Sequence, residues 1–297
     1  MGRKMSSKLR PRRSMLYVPG CNLRYLDKAR TLRADSLILD LGDPILLECK
    51  EQARQNVVDA IKAGGYGKRE IVVRVNDLDS RWGHDDIRAV ANIGADAILF
   101  TNIDGRQDLL DAIAALDAAG GSHMPVMVMI ESPLAVLHAE EIASTSDRIA
   151  CMVLATSDLI SELGARATHE RVAVLTSLSI VILAARAYGR GVVDGINSDL
   201  KNMTTFEYAC RLGRDMGFDG KSLVHPHQLD YANDAYTPKP AEVVLAREII
   251  EALANANAAG RGTVVVNDRL IERHHVVAAK RLLALHDMIT DIEEEYA

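Results

Sequence analysis

Eight charged or polar side chains stand at or just past the ends of short apolar runs: Asp40, Asp43, Arg74, Asn76, Glu131, Asp158, Asp194 and His225. Carboxylates in such places can hold a divalent cation. Two hard oxygen donors, with the rest of the shell left to water and substrate, is how Mg²⁺ is usually bound. Glu131 and Asp158 suit that role because they close consecutive apolar runs, which would bring them side by side. Arg74 carries a planar five-donor guanidinium that can grip a substrate carboxylate through two parallel hydrogen bonds. A lone acid at such a point more often caps the following helix. It is the set, with Glu131 and Asp158 at its centre, that points to metal-assisted work on a small anionic molecule.

These residues need a scaffold that turns many strand ends toward one place. The apolar, β-branched runs at 14–20, 36–41, 70–76, 95–100, 125–132, 149–156, 191–196 and 221–226 alternate with segments of helical period, such as "CKEQARQNVVDAIKAG". Eight βα repeats spaced roughly 25 to 35 residues apart predict an α/β fold of the TIM (β/α)8 type. Its strands are apolar on both faces and its chemistry sits at their carboxyl ends. A doubly wound sheet is the alternative, but "VPGCNLRY" after the first run lacks the spacing of a dinucleotide fingerprint. Residues 1–12 read as a basic leader, 13–236 as the barrel and 237–297 as a C-terminal helical extension with a short strand-like hairpin. The run "LTSLSIVILAARA" reads as a buried helix.

The chain has 297 residues and a formal net charge of −6, which gives no electrostatic reason to expect nucleic acid or an anionic membrane as partner. Its four cysteines, Cys21, Cys49, Cys151 and Cys210, form no CxxC pair; they read as thiols of a reducing, cytoplasmic setting. No stretch has the 18 or so apolar residues of a membrane span. "GFDGKSLVHP" contains Gly-Lys-Ser, yet Asp215 stands where a phosphate loop needs its first glycine, and a strand follows the motif instead of preceding it. His225, His227, His274 and His275 lack the helical spacing that aims two rings at one ion.

Seven stretches in order, "RRSMLYVPG", "LDLGDPI" with its downstream Lys50 and Arg54, "VVRVND", "IESPLAVLHAEEIA", "SDLISELGA", "AARAYGRGVVDGI" and "MGFDGKSLVHPHQ", resemble the motifs of one family. It is that of the citrate lyase beta subunit and its malyl-CoA and citramalyl-CoA lyase relatives, in the HpcH/HpaI aldolase superfamily. The resemblance implies a TIM barrel assembling into trimers or hexamers. It also implies Mg²⁺-dependent cleavage of a 3-hydroxy-3-carboxyacyl thioester, carried on CoA or an acyl-carrier protein, into an acyl thioester and a 2-oxo acid. Carried over by motif, Glu131 and Asp158 are the metal ligands and Arg74 holds the oxo-acid carboxylate. Asp43 is the acid near the metal's water shell, and the backbone of Ala155 and Thr156 lines the oxo-acid pocket. Glu272, in "NDRLIERHH", occupies the place of a tail aspartate that takes the hydroxyl proton from a neighbouring subunit's barrel.

Three positions depart from the pattern. Gly42 replaces a glutamate and is expected to leave room for water or substrate, with Asp40 beside it structural. Thr101-Asn102 replaces Pro-Lys and removes a cation, and Glu272 is one methylene longer than aspartate. Malyl-CoA-type thioester hydrolysis and a non-catalytic assembly subunit therefore stand beside the lyase as alternatives.

Overall fold

The computed structural model describes residues 9–260 and 262–296; the first eight residues of the basic leader lie outside them. The chain divides into two compact units, Arg12–Tyr236 and Thr237–Ala297 with Leu9–Pro11.

In the first unit eight strands close into a barrel in sequence order, every pairing parallel. They are β1 (Ser14–Pro19), β2 (Ser36–Asp40), β3 (Glu70–Arg74), β4 (Ala97–Phe100), β5 (Val126–Ile130), β6 (Ile149–Leu154), β7 (Gly191–Asp194) and β8 (Gly220–Leu223). All the strands but β4, which ends with its run at Phe100, stop one to three residues before the end of the apolar run, whose last residues leave the ladder to shape the loop.

Side chains alternate across the barrel wall. Met15, Ile38, Val72, Leu99, Met127 and Val153 pack together inside the barrel. Their neighbours Leu16, Leu37, Val73, Ile98, Val128 and Met152 belong to the larger cluster shared with the helices. Helix Leu175–Ala187 shows what an outer-ring position requires. Leu178, Val181 and Ile182 are buried, whereas Ile180 and Leu183 face solvent, so the helix is buried on one side only.

The amino end of the barrel is tied by buried ion pairs. Arg12 donates to both oxygens of Glu70, at 2.7 and 2.6 Å, and Arg13 to both oxygens of Asp35, at 2.9 and 2.8 Å. Ser36 Oγ adds a third bond to Glu70 at 2.7 Å. Each carboxylate stands at the start of a strand, β2 or β3, and each arginine just before β1, so the two pairs lock the first three strands in register.

The second unit consists of helices Pro240–Ala258 and Arg273–Tyr296 and an antiparallel hairpin, β9 (Val264–Val266) and β10 (Arg269–Ile271). The two-residue turn uses Asn267 and Asp268 at φ 47° and 59°, the left-handed pair such a tight hairpin demands. Among the described residues no helix is long and apolar enough to cross a membrane.

Candidate active site

The carboxyl end of the barrel gathers most of the residues singled out from the sequence. Arg74 is the last residue of β3 and faces inward, 6% exposed. Its Nε and Nη2 donate to the two oxygens of Asp40 at 2.7 and 2.9 Å. The edge expected to meet a substrate carboxylate is thus occupied by Asp40, which holds the guanidinium rigid. What remains for a ligand is the Nη1 side, where Nη1 lies 3.3 Å from Asp43 Oδ2 and 3.9 Å from Met129 Sδ. Burial is the largest single influence and disfavours the charge on Arg74, but the charge and hydrogen bonds of Asp40, with Tyr17 and Asp43 adding, together raise the guanidinium pKa above its ordinary value and the group stays charged.

The same geometry corrects the reading of Gly42. A Cβ there would stand 2.8 Å from Arg74 Cζ and 2.9 Å from Nε and Nη2. The space is taken by arginine rather than by water or substrate. Asp40 Oδ1 also accepts the Gly42 N–H at 2.8 Å, folding the strand into its loop. Lys50 secures that loop from below, its Nζ donating to the carbonyls of Leu41 and Gly42 at 2.9 and 2.8 Å and to Asn76 Oδ1 at 2.6 Å. Burial lowers the Lys50 pKa against the pull of Asp43 and Asp40. Asp43 emerges from this braced turn with its side chain 93% exposed.

Glu131 follows β5 directly, where Ser132 stops the strand by capping helix Pro133–Leu137, its Oγ accepting the Ala135 N–H at 2.9 Å. The Glu131 carboxylate accepts one hydrogen bond, at 2.5 Å from the Asn102 N–H. Asn102 is left-handed, φ 53°, a conformation asparagine tolerates better than most residues. Its side-chain Nδ2 is tied to Asp77 Oδ2 at 2.9 Å. Asn102 therefore aims its backbone at the acid, a role the sequence did not reveal. Burial is the main cause that raises the Glu131 pKa; Asp158 and Asp43 push it further up, while the Asn102 N–H and Arg74 pull it down.

Asp158 lies exposed in the first turn of helix Thr156–Glu162. It makes no hydrogen bond or ion pair among the described residues. Ala155, between β6 and that helix, spends its N–H on the Ile130 carbonyl at 2.9 Å and its carbonyl on the Leu159 N–H at 3.1 Å. It offers a wall rather than a hydrogen bond.

A cavity of about 340 Å³ is bounded by Tyr17, Asp43, Arg74, Met129, Ala155 and Asp158, among others. A second, of about 290 Å³, is bounded by Asp43, Lys50, Trp82, Asn102 and Glu131 among others. Asp43 is common to both. Thr156 lines a third, of about 400 Å³, that shares Ile196 with the first. Glu272 belongs to the second unit, just past β10, with its carboxylate 3.4 Å from His274 Nδ1 and its N–H donating to His275 Nδ1 at 3.1 Å.

Two strand-end candidates do not join the mouth. Asp194 follows inward-facing Val193 and so points outward into the wall, where Arg171 binds both its oxygens at 2.7 and 2.6 Å and Lys221 Nζ lies at 2.6 Å. Burial alone would raise its pKa, but the two cations overcome that and lower it. His225 accepts the His227 N–H at 3.2 Å and caps its own turn.

The donor set suits a hard cation. Burial, with the nearby Asp158 charge adding to it, makes Glu131 harder to ionise; both acids are oxygen donors, and a two-carboxylate shell leaves the remaining positions to water and substrate, the habit of Mg²⁺. No group of three or more histidine, cysteine or acidic side chains with metal-holding geometry occurs among the described residues. A closed all-protein cage is thus not what this mouth offers.

Comparison with known proteins agrees with the geometry. Residues 13–226, from the first strand to just beyond the eighth, match the family described as HpcH/HpaI aldolase/citrate lyase. The chain belongs to this family. Among family relatives, a (3S)-malyl-CoA thioesterase of Cereibacter sphaeroides is 40% identical over 285 residues, covering 96% of this chain and 98% of the relative. A citrate lyase subunit beta of Escherichia coli is 35% identical over 294 residues, covering 97% of each. The CitE protein of Mycobacterium tuberculosis, solved in complex with magnesium, acetoacetate and coenzyme A, overlays with a TM-score of 0.74. That overlay has 22% identity and covers 93% of this chain and 98% of the other, a likeness that speaks for the barrel fold.

Proposed function

We propose that this chain is a Mg²⁺-dependent carbon–carbon lyase. It would cleave a 3-hydroxy-3-carboxyacyl thioester of the citryl, malyl or citramalyl type into an acyl thioester and a 2-oxo acid. The observation that carries the reading is the pair of cavities at the barrel mouth that share Asp43, one bounded by Glu131 and the other by Asp158 and an arginine already fixed by Asp40.

In this reading Glu131 and Asp158 hold the ion. Mg²⁺, when bound, supplies Lewis-acid polarisation of the substrate's oxygens. Arg74 orients the substrate carboxylate through its Nη1 side and needs no reorganisation, because Asp40 has already set the plane of the guanidinium. Asp43 orders water at the rim. Ala155 walls the oxo-acid part and Thr156 extends that wall toward the neighbouring cavity. Breaking the bond requires a base for the hydroxyl proton, and we assign it to Glu272, supplied to a neighbouring subunit's barrel. The apolar side chains of Leu134, Leu137, Ile180 and Leu183, exposed on one side of the barrel, support a homo-oligomer, for which trimer or hexamer is the proposal. Four free thiols support a cytoplasmic setting, and CoA or an acyl-carrier protein is the proposed carrier.

A second reading has a specific observation behind it. The relative at 40% identity is named for thioester hydrolysis, and the same mouth would direct water at the thioester carbonyl. Product analysis separates the two. Malyl-, citramalyl- and citryl-CoA are incubated with the protein and Mg²⁺, and 2-oxo acid and free thiol are quantified. The lyase releases oxo acid and leaves the acyl thioester intact, whereas thiol without oxo acid would replace the lyase by the thioesterase.

A further inference from the structure

The Tyr17 hydroxyl is buried and has no hydrogen-bond partner among the described residues. Its ring is partly buried against the inner cluster of the barrel, at the level where β1 meets the mouth. Arg74 lies over that ring, Cζ 5.3 Å from the centroid, and both side chains line the 340 Å³ cavity together with Met129, Leu154 and Ala155. Leaving a phenol O–H unpaired away from water is costly, and buried hydroxyls normally find a partner. A chain that only needed the ring here could have used phenylalanine.

The group is a donor at neutral pH. Burial is the main cause that lifts the Tyr17 pKa well above its usual value, with Asp40, Glu131 and Asp158 adding to the rise and Arg74 opposing it. A partner that satisfies the O–H hydrogen accepts a hydrogen bond. Arg74, which lies over its ring, has one edge closed by Asp40, whereas its Nη1 meets the exposed Asp43 only at the longer distance of 3.3 Å. An acceptor drawn to that side would be anionic.

We propose that Tyr17 donates its hydroxyl hydrogen to the carboxylate of the bound oxo acid, a carboxylate it shares with the Nη1 side of Arg74. Tyr17 is thus a substrate-binding residue of the mouth and contributes to its selectivity for 2-oxo acids that carry a free carboxylate. The inference rests on the functional reading above, since it needs a carboxylate-bearing ligand in this cavity.

The test compares the full-length protein with Tyr17→Phe. Glyoxylate, pyruvate and oxaloacetate are titrated calorimetrically in the presence of Mg²⁺, and thermal unfolding is followed without ligand. Removing an O–H that has no partner in the free protein leaves the melting temperature equal or higher, whereas loss of a bond to a charged acceptor weakens oxo-acid binding roughly tenfold to a hundredfold. Unchanged affinity in Tyr17→Phe, whatever happens to turnover, overturns the proposal. So does a lower melting temperature, which would mean that the hydroxyl is paired within the fold. If the wild type binds none of the three acids, the functional reading falls together with the proposal; a binding wild type matched by the variant sinks the Tyr17 role alone.

Discussion

The two ends of this barrel treat charge in opposite ways. At the amino end two buried arginines each meet a carboxylate with two hydrogen bonds, Arg12 with Glu70 and Arg13 with Asp35, all four side chains less than a tenth exposed. At the carboxyl end Arg74 and Asp40 are matched in this way inside the mouth, and Arg171 and Asp194 in the wall beside it. Asp43, Glu131 and Asp158 crowd the same rim and, among the described residues, pair with no cation beyond the 3.3 Å approach of Arg74 to Asp43. The first end is arranged so that nothing further needs to bind. The second is left with a surplus of negative charge and an unpaired phenol, which a cation and an anionic ligand would complete together. The contrast fits the general division of the fold, in which one face carries stability and the other chemistry.

Breaking the closed end should have the largest effect. Asp35→Ala strips Arg13 of its bidentate partner in a site where the arginine is 1% exposed, and about 3–5 kcal/mol of stability should be lost in denaturant unfolding. The open end should respond the other way. Glu131→Gln removes a carboxylate whose ionisation burial disfavours, so stability should hold or rise slightly while Mg²⁺ affinity falls by about a hundredfold or more. Microcalorimetry of Mg²⁺ binding beside a melting curve reads both.

A subtler disturbance of the open end is Gly42→Ala. The new Cβ meets the Arg74 guanidinium at 2.8 Å and must displace it from Asp40. A shift of order 1 Å in a positioning group can cost about 10²-fold in rate. The loss should appear in turnover on whichever thioester the protein accepts, with the melting temperature nearly unchanged.

The smallest effects concern pH. The Asp194 pKa is lowered by Lys221 and Arg171, so its contribution to stability is complete above the unfolded carboxylate range and is lost as pH falls through the lowered folded value. The Glu131 pKa is raised, so the native state holds the extra proton between the unfolded value and the folded one. Stability contributed there falls as pH rises through that window and is flat above it. Unfolding free energies measured across the acid range for the wild type and Glu131→Gln should differ only in that second, falling segment. A difference of the opposite slope would mean that Glu131 is stabilised in its ionised form and that the mouth is not the open end described here.

Much of this was legible in the sequence, because strand ends and apolar runs are local features. Seven of the eight runs contain a barrel strand and the eighth, 221–226, overlaps β8, which begins one residue earlier, and Glu131, Asp158, Arg74 and Asp43 all stand at the mouth. What was not legible depends on which way a residue faces and what fills the space beside it. Asp194 ends a strand just as Arg74 does, yet it lies one step out of phase with the inward-facing Val193 and is spent on the wall. Gly42 read as room for water because Arg74, 32 positions further on, cannot be seen beside it in one dimension. The same holds for Asn102, whose value lies in a backbone N–H rather than in its side chain. Tyr17 carried a signal, the one aromatic residue of its strand, but only the structure shows that its hydroxyl has no partner among the described residues.

The account stands on the claim that Glu131 and Asp158 jointly hold a divalent cation at the mouth. Its most direct test is calorimetric titration of Mg²⁺ into the wild type, Glu131→Gln and Asp158→Asn, each first verified by its melting curve. The account predicts binding in the wild type and its loss in both variants, with melting temperatures equal to or above that of the wild type. Undiminished Mg²⁺ binding in both variants would contradict it.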